Sequence, residues 1–490
     1  MPVSCHGRLR LYNQLVRRLS LSRCFCAQPP SPSAPSVSKD YHAGGVLERL
    51  CGDLVDRGIV SSTYPSSLKD EQFQGLRNVP AVVYAGFDPT SDSLHIGNLA
   101  ILSTLLRASA ADCLAIALVG GGTAQVGDPS GRTTERKQMA IELIEQNARS
   151  IEKQIASIAE NFAAMTRDGC GQSPRLKILN NISWYGKMDL FDFFSISRHF
   201  RVGEMLKRKA VRSRMEDQHA GLNYAEFSYQ ILQSYDWLRL CEEYDCRLQI
   251  GGSDQLGHFD AGHDLVKKVT EHDAFGLCVP LITDERGQKL GKSTITDGAV
   301  WLDAKKTSPF AFYQFWHQRK DAEVGGLLRL FSFRPVERVE ELLREHMEKP
   351  SRWLAQKELA QEMTLLVHGP EGLQSALKCT AALFSGSLDA LSALNEEELE
   401  ELFGGASTFT LSLQDVTTVL ELAERVLPSS DSKKKQTKGA EGIIHGGGFS
   451  VNGQKLTDPK HRLTESVFLP NTRLSVVCRG KRTYSLVKWS

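Results

Sequence analysis

Apolar runs and helical stripes alternate through the middle of the chain. Residues 81–84 (AVVY) form a β-branched run that predicts a buried strand, broken by Gly86, Asp88 and Pro89. Residues 99–111 then carry apolar positions at helical spacing, and 113–119 (CLAIALV) predict a second buried strand closed by Gly120, Gly121 and Gly122. Within 135–165, Ile144, Ala148, Ile151, Ile155, Ile158, Phe162 and Met165 fall at alternating spacings of four and three, the stripe of a long amphipathic helix. Further strands are predicted at 176–179, 247–250 and 278–283, with a helix at 226–243. Strand–helix alternation of this length implies an α/β domain with a Rossmann-like parallel sheet covered on both faces.

Beyond residue 308 the strand runs stop. Segments 309–348, 351–385 and 395–427 have helical periodicity, and 429–438 (SSDSKKKQTK) reads as a polar linker. The last 50 residues are β-rich, with strands expected at 449–451, 474–477 and 484–487 and a hairpin signal at Asn452-Gly453. The expected organisation is a leader and spacer at 1–39, an α/β domain with a helical connective insertion at 40–308, an α-helical domain at 309–428, and a linker with a small α+β domain at 429–490.

Charge sharpens this division. The formal net charge is +1, but residues 1–39 hold five Arg and one Lys with no acid, giving +6, and 431–490 hold twelve Lys/Arg against four Asp/Glu, giving +8. The intervening body is therefore at −13. In the leader, Leu11, Tyr12, Leu15, Val16 and Leu19 share one helical face opposite Arg10 and Arg17, the composition of a mitochondrial presequence, followed by a Pro/Ser spacer at 29–35. No apolar run approaches the roughly 18 residues of a membrane helix. Eleven cysteines without a CxxC pair fit free thiols in a reducing compartment, with neither a zinc site nor a disulfide framework.

Several chemical signals dissolve on inspection. Residues 122–128 (GTAQVGD) imitate a phosphate loop, but Asp128 stands where a Lys is needed and would repel phosphate. Gly446, Gly447 and Gly448 after His445 lack an accompanying nucleophile elbow. His258 and His263 lie five apart, whereas helical metal ligands need three or four, so no metal site is expected. Three features persist. Residues 82–98 (VVYAGFDPTSDSLHIGN) run from strand through a polar turn into a helix N-terminus, where unpaired N–H groups and the helix dipole favour phosphate. Tyr229, Gln233 and Asp236 form one polar stripe on the 226–243 helix, a better pocket lining than a water-facing surface. Residues 251–255 (GGSDQ) and 289–293 (KLGKS) are glycine–polar turns after later strands.

In that order, YAGFDPTSDSLHIGN, LVGGGTAQVGDPSGR, EFSYQILQSYDWLRL, LQIGGSDQLGH and KLGKS resemble the tyrosyl-tRNA synthetases of bacterial and mitochondrial type, class I enzymes, over roughly residues 80–315. The resemblance implies activation of L-tyrosine by magnesium-bound ATP to tyrosyl-adenylate and pyrophosphate, then transfer to the 3′ end of tRNA(Tyr). It implies that His95, Gly97 and Asn98 hold the nucleotide, that Lys289 and Lys292, with Ser293, neutralise pyrophosphate, and that Asp88, Thr90 and the Ile282 carbonyl are further ATP contacts. His95, Asn98, Lys289 and Lys292 would be the catalytic set. Tyr84 and Asp236 would bond the substrate phenol, and Asp128, Tyr229 and Gln233 its α-ammonium, with Gly86, Gly252 and Gln255 alongside. A homodimer in the mitochondrial matrix is implied, with 310–428 reading the anticodon and the basic C-terminal module, S4-like in pattern, holding tRNA. Asn98 departs from the usual His of HIGH, an Asn shared with tryptophanyl-tRNA synthetases, and KLGKS departs from KMSKS while keeping both lysines. Tyr84 with Asp236 argues for a phenol over an indole, and the intact His95, Asp236, Lys289 and Lys292 argue against an RNA-binding protein on a retired synthetase scaffold.

Overall fold

The computed structural model describes residues 45–130, 138–166, 175–215, 221–280, 282, 299–385, 394–395, 398–399, 407–426, 433–470, 472–479 and 483–490. The expected leader 1–39 and the 289–293 motif lie outside them. The chain divides into two compact units, one holding the described residues of 1–293, 298–307 and 316–369, the other those of 308–315 and 370–490.

The first unit is built on a six-stranded sheet of order β1-β6-β5-β2-β3-β4: β1 (Ser62–Tyr64), β2 (Val82–Phe87), β3 (Leu114–Val119), β4 (Leu176–Asn180), β5 (Leu248–Gly252) and β6 (Phe275–Val279). All neighbours pair in parallel except β1, which runs antiparallel to β6. The central strands β2 and β3 are buried almost throughout, as continuous apolar strands covered on both faces should be. Helices α1 (Ile96–Ala110), α2 (Ile141–Thr166), α3 (Tyr224–Tyr244) and α4 (Leu256–Thr270) belong to this unit. Asn223 caps α3 by accepting from the Glu226 N–H at 2.9 Å, and Asp245 ends it at a φ of 52°. Helices Asp321–Phe331 and Val336–Glu348 also belong here: buried Arg107 of α1 donates to the carbonyls of Leu330 at 2.9 Å and Ser332 at 2.6 Å.

The second unit carries a five-stranded sheet of order β7-β11-β10-β8-β9: β7 (Ser407–Leu411), β8 (Phe449–Val451), β9 (Gln454–Lys455), β10 (Leu474–Arg479) and β11 (Thr483–Trp489). Asn452 and Gly453, at φ of 49° and 79°, make the tight turn between β8 and β9. Helices Val419–Val426 and Lys433–His445 cover the sheet with Val419, Leu422, Ala440 and Ile444.

Three local expectations are corrected, and one strand went unread. The last strand of the first sheet spans Phe275–Val279, earlier than 278–283. The predicted helix at 395–427 contains β7, whose residues Ser407–Leu411 pair in parallel with β11, 78 residues on. The expected linker 429–438 is helical from Lys433. Strand β1, only three residues long, had no readable pattern.

Candidate active site

In the first sheet the chain moves outward from β2 to β3 and β4 on one side and to β5 and β6 on the other. The C-terminal ends of β2, β3 and β5 therefore splay apart at a switch point, where open α/β sheets bind ligands. A cavity of about 490 Å³ opens there. It is lined by Tyr84, Gly86, Asp88, Thr90, His95, Gly97 and Asn98 from β2 to α1, by Asp128 after β3, by Tyr229, Gln233 and Asp236 of α3, by Gly252 and Gln255 after β5, and by Ile282. Lys289, Lys292 and Ser293 fall outside the described residues.

The N-terminus of α1 is closed by a reciprocal pair. The Asn98 N–H donates to His95 Nδ1 at 3.3 Å, and the His95 N–H donates to Asn98 Oδ1 at 3.1 Å. Because Nδ1 accepts, the neutral imidazole carries its proton on Nε2. A Cβ on Gly97 would lie 2.8 Å from His95 Cε1, so glycine leaves room for the ring. Residues 299–307 are laid along this turn: Ile96 N–H donates to the Val300 carbonyl at 3.1 Å and Leu302 N–H to that of Leu94 at 2.9 Å. Trp301 stands 6.3 Å from the His95 ring, centroid to centroid, and Lys306 lies over Trp301 while pairing with Asp92.

Tyr84 and Asp236 are both buried. The Tyr84 hydroxyl finds no partner among the described residues. Burial, then the nearby Asp236, pushes its phenol well above the ordinary range. Asp236 accepts from Asn181 Nδ2 at 3.0 Å and Trp184 Nε1 at 2.9 Å; burial nevertheless pushes its carboxyl up to about 7. Asn181 Nδ2 also reaches Thr123 Oγ1 at 3.1 Å, whose hydroxyl donates to Asp88 Oδ1 at 2.8 Å, and the Tyr229 hydroxyl donates to Asp88 Oδ2 at 2.8 Å. One hydrogen-bonded chain thus joins the two carboxylates. The glycines after β3 make this close approach possible: a Cβ on Gly120 would overlap Asp88 Oδ1, and one on Gly121 would overlap Asn180 Oδ1.

Asp128, half-way into the protein, accepts from Ser130 N–H at 2.8 Å, Gln255 Nε2 at 2.9 Å and His258 Nε2 at 3.2 Å. Burial alone would raise its carboxyl, but these bonds outweigh it and hold it well below the usual carboxylate range. Sequence reasoning missed Asn181 and Trp184, which carry no motif, gave no role to Thr123 within the 122–128 stretch, and considered His258 only as a metal ligand. Among the described residues no group of three or more His, Cys, Asp or Glu could hold a metal ion.

Over residues 76–385 the chain matches the family described as tRNA synthetases class I (W and Y). It is 41% identical over 444 residues to the mitochondrial tyrosine–tRNA ligase of Drosophila melanogaster, covering 89% of this chain and 94% of that one. With the mitochondrial tyrosine–tRNA ligase of Homo sapiens it shares 39% over 481 residues, 97% and 98% of the two chains. Among solved structures, the C-terminally truncated Aspergillus nidulans mitochondrial tyrosyl-tRNA synthetase superposes with a TM-score of 0.60 at 25% identity, over 76% of this chain and 98% of that one. The chain belongs to the class I tRNA synthetases of the tryptophan and tyrosine group. Within it, these relatives near 40% identity are tyrosine–tRNA ligases.

Proposed function

We infer that this chain is a mitochondrial tyrosine–tRNA ligase that activates L-tyrosine with ATP and charges tRNA(Tyr). The observation that carries the reading is that one cavity is lined both by His95, Gly97 and Asn98 at the N-terminus of α1 and by the buried Tyr84 and Asp236. In the first step a tyrosine carboxylate oxygen bonds the α-phosphorus of ATP as the bond to pyrophosphate breaks. In the second, a hydroxyl of the terminal tRNA ribose takes the tyrosyl group and AMP leaves. The substrate supplies its own nucleophile, so the protein contributes position and charge.

The roles proposed for this chain's residues follow from their chemistry. The Nε2–H of His95 donates toward phosphate oxygens, beside the N–H of Gly97. Asn98 keeps His95 in that tautomer. Thr90 and the Ile282 carbonyl contact the nucleotide, and Asp88, which would repel phosphate, serves its hydroxyl or amine groups. Lys289, Lys292 and Ser293 meet the departing pyrophosphate. Tyr84 donates to the phenol oxygen and ionised Asp236 accepts its proton, while Asp128, Tyr229 and Gln233 take the α-ammonium. Magnesium belongs to ATP as substrate, carried on its phosphates. A site that leaves Tyr84 and Asp236 without the substrate hydroxyl forfeits about 1–3 kcal/mol or more, which discriminates against phenylalanine. Rejection of phenylalanine by tyrosyl-tRNA synthetases is an established instance of such selectivity, reached without an editing step.

The leader is assigned to import, placing the enzyme in the mitochondrial matrix, and no described helix is long and apolar enough to cross a membrane. Helix Leu190–Ser197 leaves Phe191 80% and Leu190 63% exposed, an apolar face suited to a homodimer. The basic C-terminal stretch 431–490, at +8, is assigned to tRNA together with the helical region 310–428. Exchange of labelled pyrophosphate into ATP tests the core reading: exchange dependent on tyrosine is expected, and exchange driven by tryptophan instead would overturn it.

A further inference from the structure

We propose that His258 is a positioning residue for amino-acid binding, its Nε2–H orienting the Asp128 carboxylate that receives the α-ammonium of tyrosine. This rests on the assignment of Asp128 to that ammonium. His258 sits in the first turn of α4, is buried, and does not line the cavity, whereas Asp128 does. Its Nε2 lies 2.8 Å from Ser130 Oγ and 3.2 Å from Asp128 Oδ1. The alternative tautomer would set an imidazole lone pair against a buried carboxylate and leave an N–H at Nδ1 without a partner. Electrostatics therefore selects the proton on Nε2, and the atom left without a partner among the described residues is Nδ1, as an acceptor.

The consequence is geometric. A carboxylate oxygen has two lone-pair directions, and the Ser130 N–H and His258 together occupy those of Oδ1. Gln255 binds Oδ2 at 2.9 Å. The carboxylate plane is thereby set from α4 and the 128–130 turn, and it stays ionised. The His258 ring is itself held against Tyr229, 5.5 Å away between centroids. Without the His258 donor the carboxylate turns about its Cβ–Cγ bond, and only ligands bearing an ammonium lose affinity.

Calorimetric titration of the full chain with two tyrosine fragments reads this out. Tyramine has the ammonium and no carboxylate; desamino-tyrosine has the carboxylate and no ammonium. In His258→Leu the Kd for tyramine is expected to rise about tenfold, the scale of one lost hydrogen bond to a charged group, with that for desamino-tyrosine unchanged. His258→Gln, which restores an N–H donor, should return the ratio to within about threefold of the parent. His258→Phe keeps the packing on Tyr229 without the donor and must reproduce the Leu result if the Leu variant does not fold. Asp128→Asn separates the two levels of the argument. If it leaves tyramine binding intact, the ammonium assignment falls. If it weakens tyramine while His258→Leu and His258→Phe leave the ratio unmoved, the role of His258 falls alone.

Discussion

His95 and Asn98 hold each other across the first turn of α1, each backbone N–H donating to the other's side chain. At the position that departs from the HIGH pattern, the main-chain N–H selects the imidazole tautomer and the Asn98 side chain returns a bond to the His95 N–H. Asn98→Ala removes one half of the pair and should cost about 1 kcal/mol of stability, as a lost capping interaction does. Asn98→Asp keeps the acceptor but adds a negative charge beside phosphate. Its melting temperature should match the parent while its KM for ATP rises about tenfold or more, since each tenfold is only about 1.4 kcal/mol of repulsion. An unchanged KM for ATP would remove Asn98 from the nucleotide site.

Burial pushes the carboxyl of Asp236 up to about 7, so its proposed contact with the tyrosine phenol predicts pH-dependent binding. If ionised Asp236 accepts the phenol proton, tyrosine affinity should rise several-fold between pH 6 and pH 8, with the trend abolished in Asp236→Asn. Asp128, held well below this range, contributes nothing to the trend. Asn181→Leu removes a bond that favours the ionised form, so its transition should move to higher pH. A flat profile in the parent enzyme would be incompatible with this role.

The same shift has a stability sign. Between the unfolded value near 4 and the folded value of about 7, the native state binds a proton that the unfolded chain has lost. Folding stability from this group therefore falls as pH rises through that window. Denaturant midpoints of the parent and Asp236→Asn compared at pH 5 and pH 8 check it: the variant should lose less stability over the interval.

Trp301 and Lys306 secure the described segment after the KLGKS motif to the His95 turn. Trp301→Ala should slow tyrosyl-adenylate formation about tenfold, a loss near 1.4 kcal/mol, and leave the KM for tyrosine unchanged. Trp301→Phe should recover most of the rate. Single-turnover measurement at saturating tyrosine resolves the two.

In the second unit, Lys455 and Lys460 are exposed. Reversing both to Glu should weaken tRNA charging at low salt, flatten its further fall as salt rises, and spare tyrosine-dependent pyrophosphate exchange, because the lost phosphate contacts no longer release counterions. Equal losses in the two assays would disconnect this surface from tRNA.

What the sequence determined by itself was everything encoded over short range. The buried runs of β2 and β3, the stripe of α2, the turn at Asn452-Gly453 and the motifs at strand ends could be read because local propensity and periodicity agree with the final fold. Tertiary structure alone decided what depends on distant partners. Strand β1 is defined by pairing with β6, more than 200 residues on, and β7 by pairing with β11, so neither leaves a local signature strong enough to separate it from turn or helix. In the cavity the polar residues of the motifs were visible, yet Asn181 and Trp184 became partners of Asp236 only across some 50 residues of chain. The same holds for His258, which looked like an unmatched metal ligand until folding set it against Asp128. A buried charge must be satisfied by whatever the fold brings near it, and that is a property of packing rather than of spacing.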